Sequence, residues 1–316
     1  MKAISLTKEN ERELTRAARL IRAGELVAFP TETVYGLGAN ALDSEAVDRI
    51  YVVKGRPPTS PLIVHVDGVE MARTIVSDWP RHAQLLAERF WPGALTLVLP
   101  KSPIVPDRVT AGLSTVGVRV PSHALALALI REAGVPIAAP SANRFTELSA
   151  TTADHVRRSL GNQVAMILDG GPTQVGIEST VLSLTGPQPL LLRLGMVSLH
   201  DIEDLIGPVT TGGAPSSGPH ASPGLHAKHY SPKTHLLLTS DGVLPPRGRG
   251  AYIFVTVQAQ AERVVRMPDD PVAYASKLYA VLHDLDRQEL DWIAVERPPE
   301  APAWAAILDR LRRAAG

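Results

Sequence analysis

Residues 207–234 read GPVTTGGAPSSGPHASPGLHAKHYSPKT, and ten of these 28 are Gly or Pro. Proline locks φ and lacks an N–H, and glycine loses the most conformational freedom on ordering, so neither a helix nor a central strand can run through this stretch. It reads as a linker. The chain accordingly divides into a first unit at 1–206, a linker at 207–234 and a smaller unit at 235–316.

Upstream of the linker, Leu14, Ala17, Ala18 and Ile21 share one stripe, which predicts an amphipathic helix over Lys8–Arg22 that stops at Gly24. A short buried strand is expected at Leu26–Phe29. After an irregular glycine-containing stretch, Asp43 or Ser44 caps a helix that runs to about Val53. Strands are predicted at 62–66, 95–99, 116–120, 137–139, 165–169, 180–184 and 190–194, and helices near 69–76, 81–90 and 124–133. Helices interleaved with strands imply an α/β fold of packed layers. Gly186-Pro187 between 180–184 and 190–194 predicts an antiparallel hairpin, hence a mixed sheet. Downstream, strands near 235–239, 251–257 and 292–295 alternate with helices near 271–288 and 302–314, giving a small second α/β unit.

Composition narrows the function. The 316 residues carry 32 Lys+Arg against 32 Asp+Glu, are 45% hydrophobic and contain no cysteine. Such a chain can bury a substantial core, so disorder as the main state is excluded. The charge also cancels regionally, at 11 basic and 11 acidic residues over 233–316, so no polycationic tail draws the chain to nucleic acid or membrane. Without cysteine there is no disulfide, zinc–thiolate site, iron–sulfur cluster or thiol nucleophile. The N-terminus lacks the apolar run of a signal peptide, and no window is long and apolar enough to span a bilayer. The expectation is a soluble cytoplasmic protein.

The common nucleotide motifs are missing: there is no P-loop, and Gly36-x-Gly38 lacks the third glycine of a dinucleotide fingerprint. Instead, hydroxyl residues, glycines and single cations gather in loops at strand ends. The loop Pro30–Gly38 offers Thr31, Glu32 and Thr33, either as a well-capped turn or as a ligand loop. Lys54 and Arg56 follow a helix, where they complement its C-terminal dipole or, with Ser60, hold phosphate oxygens. Arg119 sits in an otherwise apolar strand and needs a partner, either a structural carboxylate or an anionic substrate. Pro140–Asn143 and Glu178–Thr180 also stand at strand ends, where ligands of open α/β sheets gather. The set suits a polyanionic small molecule, a nucleotide held without a P-loop.

In order, TETVYGLGANA (31–41), KGRP (54–57), PLIVHV (61–66), WPGALTLVL (91–99), STVGVRVP (114–121), PSAN (140–143), GIESTV (176–181) and LLRLG (191–195) closely resemble the YrdC-like family. With SPGLHAKHYSP (222–232) and the small C-terminal unit, the chain looks like that family's long, two-domain threonylcarbamoyl-adenylate synthases. The resemblance implies a YrdC-like twisted mixed sheet with flanking helices, plus a small Rossmann-like α/β domain. It also implies a reaction in which L-threonine, bicarbonate or CO2, and ATP with Mg²⁺ give L-threonylcarbamoyl-adenylate and pyrophosphate. A downstream transferase complex would then carry the threonylcarbamoyl group to the adenosine beside the tRNA anticodon.

By the same resemblance, Lys54 and Arg56 are catalytic and bind phosphates, and Ser60, Thr115, Ser141, Asn143, Ser149, Arg193 and Tyr230 complete the ATP site. L-threonine falls to Thr33, His65, Arg119, Ala139, Ser179 and Thr180, with magnesium carried by the ATP phosphates rather than by protein side chains. His65 is either a general base for the threonine amine or a hydrogen-bonding residue. Tyr230 looks like a lid over the nucleotide. One departure is local: after PSAN the family's Ser-Gly is replaced by Arg144-Phe145-Thr146, although Ser149 keeps its place. His220, His226, His229 and His235 are read as ordinary linker histidines rather than a metal cluster. Two rivals remain: an RNA- or tRNA-binding module on a basic concave face, and a carbamoyl-phosphate-using maturation enzyme, whose zinc-finger cysteines this chain lacks.

Overall fold

The computed structural model describes residues 8–212 and 230–316. His220, His226 and His229 therefore lie outside the described residues, while His235 is exposed at the start of a strand.

The first unit runs α1 (Lys8–Arg22), β1 (Val27–Phe29), β2 (Gly36–Asn40), α2 (Ser44–Lys54), β3 (Ile63–His65), α3 (Val69–Ile75), α4 (Arg81–Phe90) and β4 (Leu95–Pro100). It continues through α5 (Asp107–Thr110), β5 (Thr115–Arg119), α6 (Ala124–Ala133), β6 (Ile137–Ala138), α7 (Ala153–Leu160), β7 (Met166–Ile167), β8 (Thr180–Ser183), β9 (Leu190–Arg193), α8 (Leu199–Ile206) and β10 (Thr210–Thr211). The ten strands form one mixed sheet in the order β10-β9-β8-β4-β5-β3-β6-β2-β1-β7. The predicted hairpin is present, β8 pairing antiparallel with β9.

Local chemistry sets the boundaries. Asp43 caps α2 by accepting from the backbone N–H groups of Glu45 and Ala46, at 2.9 and 3.2 Å. Gly55 and Gly134 close α2 and α6 in the left-handed conformation, which glycine adopts without the Cβ clash. On one side of the sheet α1 and α6 bury Ala17, Ala18, Ile21, Leu129 and Ile130 against Phe29 and Ile137. On the other, α2, α3 and α4 cover the larger core with Ile50, Ile75 and Leu86.

Several elements depart from expectation. The stretch read as irregular contains β2, whose glycines are steric: a Cβ at Gly38 would stand 2.7 Å from Phe29 Cε1 and 2.9 Å from Ile137 Cγ2. Glycine lowers strand propensity, and here close approach overrides it. The linker's first residues add the two-residue edge strand β10. The helices α5, α7 and α8 were not anticipated.

The smaller unit holds β11 (His235–Thr239), β12 (Gly250–Phe254), β13 (Arg263–Arg266), α9 (Pro271–Asp286), β14 (Trp292–Glu296) and α10 (Ala305–Ala315). Its sheet, ordered β11-β14-β12-β13, is all parallel. The mostly exposed β13 is missed in the sequence, since its apolar run is only Val264-Val265 between two arginines, and a short 3-10 turn at Pro302–Trp304 precedes α10.

The two units share a core. Val34, Leu148 and Ile177 of the first pack with Tyr230, Tyr274, Leu278, Tyr279 and Ile307. Backbone also lies against backbone: Gly176, at φ +80°, leaves no room for a Cβ, which would lie 2.3 Å from the Ala275 carbonyl oxygen of α9. No helix among the described residues is long and apolar enough to cross a membrane.

Candidate active site

Strand ends and their loops line a cavity that opens to solvent. It is walled by Thr33 and Gly36, by His65 and Arg119, by Ala139 and Ser141, and by Arg56, Glu178, Ser179, Arg193 and Tyr230. Three buried arginines thus face one small space.

The loop from β1 to β2 is held from within. Thr31 Oγ1 donates to the Val34 carbonyl at 2.7 Å and stands 2.8 Å from Thr33 Oγ1. Tyr35 hydroxyl donates to the Gly171 carbonyl at 2.8 Å. Next to Thr31, Glu32 reaches across to β5: Arg119 Nη2 donates to Glu32 Oε1 at 2.6 Å and to Thr33 Oγ1 at 3.0 Å, while Arg119 Nε donates to the Gly93 carbonyl at 3.2 Å. The buried guanidinium of Arg119 therefore has a structural carboxylate, Glu32, as a partner. Arg119 nonetheless remains on the cavity wall.

His65 lies beside Arg119 because β3 and β5 pair in parallel with these two residues in register. Burial, aided by the Arg119 charge, pushes the imidazole pKa down to about 3. So weak a base favours the hydrogen-bonding reading of His65 over the general-base one. Its Nδ1 is buried without a partner in the protein.

The cations after α2 split in role. Lys54 is buried behind the wall, its Nζ donating to the Ser141 carbonyl at 2.6 Å and to the Asn143 carbonyl. Burial, with Arg56 nearby, lowers its pKa well below the lysine range. Lys54 thus fastens the 140–143 loop. Arg56 lines the cavity and donates to Ser60 Oγ and to the Pro61 carbonyl at 3.0 Å, and burial brings its pKa down to about 10. Asn143 braces the same loop, its Nδ2 donating to the Arg144 and Glu147 carbonyls at 2.7 and 3.0 Å.

On the opposite wall Arg193, ending β9, donates from Nε to the Ser179 carbonyl at 3.0 Å and from Nη2 to Ser179 Oγ at 3.1 Å. Glu178, to which the sequence assigned no ligand, accepts from Ser149 Oγ at 2.5 Å, from Tyr279 hydroxyl at 3.2 Å and from Arg310 Nε at 2.7 Å. Burial opposes its ionisation, but Arg310 and then Arg193 outweigh it and hold the carboxyl below its ordinary pKa. Tyr230 closes this side, its ring 5.2 Å from the Arg310 guanidinium.

The cavity thus unites Thr33, Arg56, His65, Arg119, Ala139, Ser141, Ser179, Arg193 and Tyr230. Lys54, Ser60, Asn143 and Ser149 support it from behind through the bonds above. Two expected residues stand apart. Thr180 turns its hydroxyl onto the Val197 carbonyl at 2.7 Å. Thr115 begins β5, roughly 13 Å along the strand from Arg119. Sequence reasoning placed Glu178 at a strand end but gave it no partner, and it passed over Arg310, which lies in the arginine-rich run of α10 that reads as an ordinary helix face. Among the described residues no group of three or more His, Cys, Asp or Glu is placed to hold a metal ion.

Comparison with known proteins agrees with this architecture. The family described as "Telomere recombination" matches residues 19–195, and "Threonylcarbamoyl-AMP synthase, C-terminal domain" matches 197–316. Threonylcarbamoyl-AMP synthase of Bacillus subtilis is 42% identical, over 97% of this chain and 94% of its own length. The crystal structure of Pyrococcus abyssi Sua5 complexed with L-threonine superposes with a TM-score of 0.91 at 40% identity, covering 97% of this chain and 95% of that one. Escherichia coli YciO matches 58% of this chain and 90% of its own, with a TM-score of 0.52 at 26% identity. On fold and on sequence over nearly its whole length, the chain belongs to the threonylcarbamoyl-AMP synthase family.

Proposed function

We propose that this protein is a nucleotidyltransferase that makes L-threonylcarbamoyl-adenylate from L-threonine, bicarbonate or CO2, and ATP. The observation that carries the reading is the convergence of buried Arg56, Arg119 and Arg193, with the neutral imidazole of His65, on one cavity.

Two bonds must form. The unprotonated threonine amine attacks CO2, making the N–C bond of a carbamate as one C=O π bond opens onto oxygen and the nitrogen's proton passes to solvent. A carbamate oxygen then attacks the α-phosphorus while the bond to pyrophosphate breaks. The second step gathers negative charge, so fixed cations and donors lower its barrier by electrostatics and positioning rather than by proton transfer. In this reading Thr33, His65, Arg119, Ala139 and Ser179 hold threonine. Arg119 meets the α-carboxylate with the charge that Glu32 leaves it. Arg56, Ser141, Arg193 and Tyr230 hold ATP, with Lys54, Ser60, Asn143 and Ser149 fixing the wall. Thr115 and the backbone of Thr180 belong to the same proposed set at its margins.

Glu32 and Glu178 are each engaged by an arginine, so magnesium would enter on the triphosphate. Tyr230 would close over the nucleotide from the smaller unit's side. The product is proposed to pass to a threonylcarbamoyl transferase complex acting on tRNA in the cytoplasm, with at most a weak direct tRNA contact.

The test is pyrophosphate release by purified protein with ATP and magnesium. Release should need both threonine and bicarbonate; turnover that persists without threonine would refute the reading.

A further inference from the structure

Two histidines, one from each unit, meet at the seam between them. His155 of α7 and His283 of α9 stack with ring centroids 3.9 Å apart and planes 25° from parallel. Neither belongs to a motif read from the sequence, and neither ring lines the cavity.

Each ring bonds to the same stretch of backbone, and each bond fixes a tautomer. The Thr151 N–H donates to His155 Nδ1 at 3.2 Å, so that nitrogen presents a lone pair. His283 Nε2 stands 3.0 Å from the Ser149 carbonyl oxygen, which can only accept, so Nε2 carries the proton. Burial, then the facing ring and the charges of Arg158 and Arg287, push the His155 pKa down to about 3 against the pull of Asp154. Burial and Arg158 likewise lower His283, against the Ser149 carbonyl, Asp286 and Glu147. Both rings are therefore neutral near neutrality, as their bonds require.

The segment held in this way, Ser149 to Thr151, ties two walls of the cavity together. Ser149 Oγ donates to Glu178, and the Ala150 carbonyl accepts from the Tyr35 N–H at 2.8 Å. Glu178 and Tyr35 both line the cavity. Next to the segment, Leu148 packs in the core of the smaller unit.

We propose that His155 and His283 are positioning residues: as a stacked pair shared by the two units they fix the 149–151 segment, and through Ser149 the Glu178 wall of the nucleotide site. This rests on the adenylate-forming reading above. The smaller unit thereby holds a wall of the cavity from behind, through a ring that never meets the ligand.

The experiment compares the full chain with His283→Leu, His283→Gln, His155→Leu and His155→Asn. A glutamine amide N–H can stand where Nε2–H stood, and an asparagine carbonyl oxygen where Nδ1 stood, so these two variants keep the bond in question. ATP affinity is read by calorimetry without threonine, and KM values come from pyrophosphate release. Each Leu variant should weaken ATP binding about fivefold, the scale of one lost hydrogen bond. The threonine KM should stay within about twofold, since the Thr33 loop is held by its own bonds from Thr31 to Val34 and from Tyr35 to Gly171.

His283→Gln and His155→Asn should bring ATP affinity back to within about twofold of wild type. Unchanged ATP affinity in both Leu variants overturns the proposal, and so does a loss that the Gln and Asn variants share in full. If a Leu variant does not fold, the crossed amides His283→Asn and His155→Gln decide, because they stay polar but set the amide one bond out of place: the fivefold loss supports the proposal and wild-type affinity overturns it. Turnover by wild type that ignores threonine refutes the functional reading, while ATP calorimetry still scores the histidine pair.

Discussion

Arg119 presents a guanidinium that is already engaged on one edge by Glu32 and Thr33, so its charge is held in place rather than mobile. Arg119→Ala would leave Glu32 buried without its cation, a change that costs about 3–5 kcal/mol. Denaturant unfolding should show that loss together with abolished threonine-dependent pyrophosphate release. The residue scale also sets a pH dependence. His65 and His155 both have pKa values pushed down to about 3, chiefly by burial. Unfolded, each takes up a proton near the ordinary imidazole value of about 6.5. The unfolded state therefore binds more protons between those limits, and stability falls as pH drops from about 6.5 towards 3, by up to about 1.4 kcal/mol per pH unit per histidine. Unfolding midpoints across that range check this, and His155→Gln should flatten the slope. The oddity of Arg119 was legible in the sequence, since an arginine in an apolar strand demands a partner. That the partner is Glu32 was not, because the pairing joins a loop to a strand 87 residues away.

Among the elements, those with strong end signals were legible: α1 with its apolar stripe, α2 between Asp43 and Gly55, and α6 closing at Gly134. β2 was not, because its glycines suppress the strand signal while serving a steric need set by Phe29. Gly38→Ala should therefore destabilise the protein by about 1–3 kcal/mol, as overpacking does, although alanine is the better residue by propensity. Asp43→Ala removes the cap of α2 and should cost about 1 kcal/mol. Since α2 ends in Lys54, which fastens the 140–143 loop, ATP affinity is the second readout for that variant.

For the whole molecule, the Gly/Pro-rich stretch announced two units but not how far they interlock. Tyr279 and Arg310 reach Glu178, and Val34, Leu148 and Ile177 lie in the smaller unit's core. Such contacts are non-local, and no periodicity records them. Truncation before Gly207 should leave a first unit that still folds but has lost stability and adenylate formation. Calorimetry of the intact chain should show one cooperative transition rather than two. Full activity in the truncated form would remove the smaller unit from the chemistry.

Gly176 carries one more consequence. Where backbone lies against backbone, no side chain is available to change rotamer and absorb a displacement. A tilt of α9 therefore presses directly on the 176–179 segment, and Glu178 stands two residues on. The smaller unit is in mechanical terms a strut seated on a hard stop, and the shape of the cavity follows the angle at which that strut rests.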